Sequence, residues 1–129
     1  MPATQSTPIV AIVEDDASMS HALERILRLG GHTAVSFPSA EEYLAGCDGL
    51  SVACLIVDVQ LPGMNGFELR DRTAMNSHQK PVIFITAYDD VDARSRAEQA
   101  GAVAFLAKPF SGRALLEAVG RALWRARRS

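Results

Sequence analysis

The sequence predicts an α/β fold, a doubly wound five-stranded parallel sheet with helices packed on both faces. Five short apolar runs alternate with helix-like stretches along the 129 residues, the pattern of successive βα units. Two of the runs, Ile9-Val10-Ala11-Ile12-Val13 and Val52-Ala53-Cys54-Leu55-Ile56-Val57, are apolar at every position, as strands covered on both faces must be. The stretches between the runs carry helix-capping residues and closing glycines.

The first strand is expected at 8–13. Ala22, Leu23, Ile26, Leu27 and Leu29 then recur at helical spacing, and Gly30-Gly31 supplies residue types that end a helix. A second strand at 33–37 leads to Ser39 and Glu42, whose spacing is that of a capping box opening the second helix. A third strand at 52–57 is followed by Asn65 and Glu68, a variant of the same signal, opening the third. After a fourth strand at 81–86, Asp89 or Asp90 caps the fourth helix and Gly101 closes it. A fifth strand at 102–107 precedes a helix that begins near Ser111. Its Leu115, Ala118, Val119, Ala122 and Leu123 form one apolar stripe to pack on the sheet. Residues 1–7 read as a flexible N-terminus, 8–125 as one domain and 126–129 as a basic tail.

A chain of this length buries roughly two-thirds of its unfolded surface and needs no disulfide or metal staple. A hydrophobic fraction of 48% and a formal net charge of −2 argue against both disorder and bulk nucleic-acid binding. Cys47 and Cys54 form no CxxC pair and read as small, mostly buried thiols. His21, His32 and His78 lack ligand spacing. Met1 to Thr7 has neither the basic region nor the apolar core of a signal peptide, and no run reaches membrane-spanning length. A reducing, cytoplasmic setting without membrane contact is the expectation. Arg121, Arg125, Arg127 and Arg128 beside Trp124 read as the solvated face of the last helix, so no direct nucleic-acid contact is expected.

Glu14, Asp15 and Asp16 follow the first strand, and Asp58 follows the third. Right-handed crossovers restrict the winding of five βα units, and the flavodoxin-like order 2-1-3-4-5 makes strands one and three neighbours. Their connections then leave in opposite directions, opening a crevice at the carboxyl ends where Glu14, Asp15 and Asp58 converge. Like charges a few ångströms apart repel by about 4 kcal/mol per pair at an effective dielectric near 20. A hard divalent cation such as Mg²⁺, Mn²⁺ or Ca²⁺ suits carboxylate and carbonyl oxygens and neutralises them. Asp16 reads instead as the cap of the first helix. Thr86 and Lys108 close the fourth and fifth strands on the same edge. Thr86 alone would be an ordinary β-branched strand residue and Lys108 a surface lysine, but their order and placement bring a hydroxyl and an ammonium to the acids. Acids with a cation, a nucleophilic carboxylate, a hydroxyl and a lysine make a site for an incoming phosphoryl group.

These residues resemble the receiver domains of two-component response regulators, most closely FixJ-type receivers. The resemblance covers nearly the whole chain. It rests on Ile12-Val13-Glu14-Asp15-Asp16, on the run from Leu55 through Asp58, Leu61-Pro62-Gly63 and Gly66, on Ile85-Thr86-Ala87, and on Lys108-Pro109-Phe110. It implies that Asp58 accepts a phosphoryl group from a histidine kinase or phosphotransfer protein. Glu14, Asp15, Asp58 and the backbone carbonyl of Gln60 would hold Mg²⁺, with Mn²⁺ as a substitute. Thr86 would move to bond the phosphoryl group, Lys108 would pair with its oxygens, and Phe105 would change rotamer with Thr86. The altered surface of the fourth helix, fifth strand and fifth helix would meet a downstream output protein or a second copy of the chain. Glu14 stands where many members have Asp, and its longer side chain can reach a metal through water. Gln60 and Tyr88 occupy positions that resemble tuners of phosphoryl lifetime, and the bulk of Tyr88 would screen an acyl phosphate from water.

The Pro-then-Gly order of Leu61-Pro62-Gly63 predicts a type II turn that leaves Asp58 reachable. An aspartate-nucleophile phosphatase of the haloacid-dehalogenase type needs a second acid two residues after the nucleophile, and Gln60 cannot serve as a general acid. A nucleotide or flavin module needs glycines where this chain has Glu14-Asp15-Asp16. The chain is therefore expected to be a phosphoacceptor that assists its own modification without turning over a substrate. A protein-binding pseudo-receiver and the receiver part of a longer DNA-binding transcription regulator are the alternatives within the family.

Overall fold

The computed structural model describes residues 8–75 and 80–128; the expected flexible N-terminus and His78 lie outside them. Ten elements alternate: β1 (Ile9–Val13), α1 (Ala17–Leu29), β2 (Thr33–Phe37), α2 (Ala40–Gly46), β3 (Val52–Asp58), α3 (Gly66–Ala74), β4 (Val82–Thr86), α4 (Val91–Gln99), β5 (Ala104–Ala107) and α5 (Gly112–Arg128). The strands pair in parallel in the order β2-β1-β3-β4-β5, as the sequence predicts. α5 continues to Arg128, so residues 126–128 extend the helix where a separate tail was expected.

Each strand alternates its side chains between two buried layers. Ala11, Val13, Leu55, Val57, Val82 and Phe84 pack in one layer with Tyr43 of α2, Leu69 of α3 and Ala97 of α4. Val10, Ile12, Cys54, Ile56, Ile83 and Ile85 pack in the other with Leu23 and Leu27 of α1 and with Leu115, Ala118, Val119 and Ala122 of α5. Burying each such large aliphatic chain is worth about 1.5–3 kcal/mol relative to exposure. Burial of Cys54 pushes its thiol up to about 12, which makes it an inert core group; Cys47 is half-buried.

The caps fall where the sequence puts them. Asp16, Ser39, Asn65 and Asp90 each accept a bond from the backbone N–H three residues on, and Asn65 with Glu68 completes a reciprocal capping box. Asp90 and not Asp89 caps α4; Asp89 instead grips Arg94 with both carboxylate oxygens. Ser111 Oγ accepts from the Ala114 N–H at the start of α5.

Three differences have local causes. Ala22 and Leu29 of α1 face outward; the stripe on the core is buried Leu23 and Leu27 with partly buried Met19 and Ile26, because Leu29 lies about 200° around the helix from Leu27. β4 starts at Val82, since Pro81 has no N–H to donate, although its carbonyl still accepts from the Leu55 N–H. β5 starts at Ala104, because the Ala102 N–H turns back to Ala97 O to close α4 and Gly101 adopts φ +73° there.

Candidate functional site

The register brings five polar side chains to one edge. Val13 pairs with Val57, so Glu14 leaves β1 beside Asp58, the last residue of β3, which itself pairs with Ile85. Thr86 ends β4 opposite Ala107, and the Lys108 N–H donates to Thr86 O at 2.7 Å. Glu14, Asp58 and Thr86 are buried, and Asp15 is exposed.

Lys108 Nζ lies 2.9 Å from Glu14 Oε1 and 2.9 Å from Asp58 Oδ2. One ammonium thus answers two buried acids. Burial pulls the Lys108 ammonium down, but its bonds to Asp58 and Glu14 together outweigh this and hold it above its ordinary value. Burial pushes the Glu14 carboxyl up to about 7, against the opposing bonds from Lys108 and the Asp16 N–H and with the Asp58 charge adding to the rise. Ligand oxygens of Glu14, Asp15 and Asp58 all lie within 4.8 Å of one another. Their all-carboxylate donor set and surplus negative charge fit a hard divalent cation. Asp16 is outside this set: its N–H donates to Glu14 Oε2, and its carboxylate caps α1.

The loop after β3 is held from several sides. The Val59 N–H donates to Ile85 O, and the Gln60 N–H donates to Asp58 Oδ1 at 2.9 Å. Gly63 has φ +75°, as the expected Pro62-Gly63 turn requires, and Glu41 of α2 accepts from the Met64 N–H at 2.9 Å. A Cβ on Gly66 would come 2.6 Å from the Asp58 carbonyl oxygen and 3.0 Å from Val59 Cα, so only glycine lets α3 begin this close beneath the acid. A crevice of about 670 Å³ opens outside the loop, with Asp15, Gln60, Phe67 and Arg96 among its walls.

Thr86 lies across the edge from Asp58 and is tied to Gln60. Its Oγ1 donates to Gln60 Oε1 at 2.7 Å and accepts from the Tyr88 N–H at 3.0 Å, with the Tyr88 carbonyl at 3.2 Å. The Tyr88 residue itself is 66% exposed. Phe105 of β5 is half-buried, with the Arg94 guanidinium of α4 5.1 Å from its ring centroid. The contacts of the Gln60 side chain, of Glu41 and of Arg94 are absent from the sequence reading. No local pattern announces them, because each joins residues from different elements or loops. The Lys108–Pro109 peptide bond is cis.

The chain has relatives throughout its length. Nodulation protein W of Bradyrhizobium diazoefficiens is 41% identical over 120 residues, covering 93% of this chain and 53% of the relative. The transcriptional regulatory protein FixJ of the same organism is 35% identical over 101 residues, covering 78% of this chain and 49% of FixJ. The chain therefore spans about half the length of these curated relatives. A response regulator receiver protein from Burkholderia phymatum superposes with a TM-score of 0.80 at 40% identity, covering 92% of this chain and 96% of that one. Among the described residues no helix is long and apolar enough to cross a membrane. The response regulator receiver domain family matches residues 10–120, and with the parallel β2-β1-β3-β4-β5 sheet and the acids at its carboxyl edge, the chain belongs to that family.

Proposed function

We propose that this receiver is a phosphoacceptor switch in which Asp58 takes a phosphoryl group from a histidine kinase or phosphotransfer protein. The observation that carries the reading is the pairing of buried Asp58 with Lys108 Nζ at 2.9 Å inside a cluster of three carboxylates. An Asp58 carboxylate oxygen attacks phosphorus as the bond from phosphorus to the donor imidazole nitrogen breaks, and the imidazole keeps the electron pair and takes up a proton. Lys108 stays beside Asp58 and meets the charge on the phosphoryl oxygens. Glu14, Asp15, Asp58 and the Gln60 backbone carbonyl hold Mg²⁺, or Mn²⁺ in its place. The bound ion supplies charge neutralisation for the entering group.

Phosphorylation brings up to about two negative charges to the edge. Thr86 responds by turning its hydroxyl to the phosphoryl group, and Phe105 changes rotamer in the space Thr86 leaves. Arg94 covers the Phe105 ring, so the change reaches the surface of α4, β5 and α5, where an output protein or a second copy docks. Phosphate thereby biases a two-state element. The chain works in the cytoplasm as a signalling component and not as a turnover enzyme. FixJ is named a transcriptional regulatory protein, which supports a transcription output, carried on the same chain or on a partner.

Incubation with acetyl phosphate and Mg²⁺, read by intact mass, tests the proposal. One phosphoryl group is expected, absent when EDTA replaces Mg²⁺. Metal-independent addition, or none, contradicts it.

A further inference from the structure

We propose that the Gln60 side chain is a latch on Thr86: its amide oxygen holds the Thr86 hydroxyl in the unphosphorylated arrangement and so sets how readily the site takes a phosphoryl group. The inference rests on the phosphoacceptor reading of Asp58 and Thr86. Thr86 is fully buried, and its hydroxyl is engaged on both sides, donating to Gln60 Oε1 at 2.7 Å and accepting from the Tyr88 N–H at 3.0 Å. A hydroxyl carries one proton. The proton given to Gln60 cannot be given to a phosphoryl oxygen, so the Gln60 bond has to break before Thr86 can answer phosphorylation.

Gln60 is also placed to feel the event itself. Its backbone N–H donates to Asp58 Oδ1, so a single residue grips the acid with its main chain and the hydroxyl with its side chain. Rearrangement of the Asp58 carboxylate on phosphorylation loosens the first grip and thereby the second. Without the amide, the hydroxyl falls back on the Tyr88 carbonyl at 3.2 Å, a longer and weaker acceptor contact. The resting arrangement is then favoured less, and the phosphorylated one is reached more easily. Gln60 acts here as a positioning residue, through Thr86.

Beryllofluoride, a phosphoryl mimic that binds without covalent turnover, provides the test. Its affinity in Mg²⁺ is measured by fluorine NMR for the wild type, Gln60→Leu, Gln60→Met, Thr86→Ala and the double variant Gln60→Leu/Thr86→Ala. Gln60 is exposed, so its replacement opens no cavity, and every variant keeps the backbone carbonyl and N–H of residue 60. Loss of one neutral hydrogen bond from the resting state predicts about three- to tenfold tighter binding in Gln60→Leu and Gln60→Met. The gain is expected to vanish in the Thr86→Ala background, which a merely structural effect of residue 60 would not produce. An equal gain with Thr86→Ala, or no gain in either single variant, overturns the latch while leaving the phosphoacceptor reading intact. A wild-type chain that takes up no beryllofluoride overturns both.

Discussion

Glu14 is buried among charges and shares its lysine with Asp58. With no metal bound, burial pushes its carboxyl up to about 7 from the 4.5 of an unperturbed glutamate. The folded state thus holds this proton more tightly than the unfolded state does. The contribution to stability is complete below pH 4.5 and is lost as the pH rises through 7. Urea unfolding in EDTA is expected to show stability falling by up to about 3 kcal/mol between pH 5 and pH 8. Glu14→Gln is expected to remove that fall; an unchanged slope in the variant would assign it to other groups. Glu14, Asp15, Asp58, Thr86 and Lys108 were legible in the sequence because each ends an apolar strand run or follows one within two residues, and parallel pairing aligns such ends. Asp16 was legible as a cap for a local reason, its distance of three residues from the Met19 N–H. The bond between Gln60 and Thr86 was not, because it depends on the side-chain rotamers of a loop residue and a strand-end residue 26 positions apart.

At the scale of elements, Gly66 determines how closely α3 approaches β3. The atoms a Cβ would strike belong to the backbone of Asp58 and Val59, and they cannot move without shifting the acid itself. Gly66→Ala is expected to cost about 1–3 kcal/mol in thermal or urea unfolding and to slow phosphorylation by acetyl phosphate. Wild-type stability and rate in that variant would mean that the loop yields freely. Strand and helix order followed from apolar runs and caps, whereas the starts of β4 and β5 did not. Those starts are decided by hydrogen bonds the residue pattern does not display: the N–H that Pro81 lacks, and the Ala102 N–H that α4 takes for its own closure. Ala22 and Leu29 of α1 face solvent although the apolar count places them on the buried side. The 100° step per residue turns Leu29 away from Leu27, so an apolar residue near the end of the helix need not lie on its buried face.

Across the whole molecule, the sheet order places β1 and β3 side by side between two buried layers, and the edge where their connections diverge carries all five site residues. The fold covers Asp58 while leaving Asp15 and the mouth of the crevice open to solvent, which suits the proposed phosphodonor and cation. From that edge β4 and β5 run side by side, Thr86 opposite Ala107 and Phe84 opposite Phe105, and Arg94 of α4 lies over the Phe105 ring, which is the direction in which the proposed switch leads outward. The proposed switch turns on the Asp58 carboxylate as the phosphoryl acceptor, which trapping the modified residue identifies. After incubation with acetyl phosphate and Mg²⁺, borohydride reduces an aspartyl phosphate to homoserine, and peptide mass spectrometry locates the converted residue. Homoserine is expected at position 58 alone, with no conversion anywhere in Asp58→Asn. Conversion at another acid, or conversion that persists in Asp58→Asn, would contradict it.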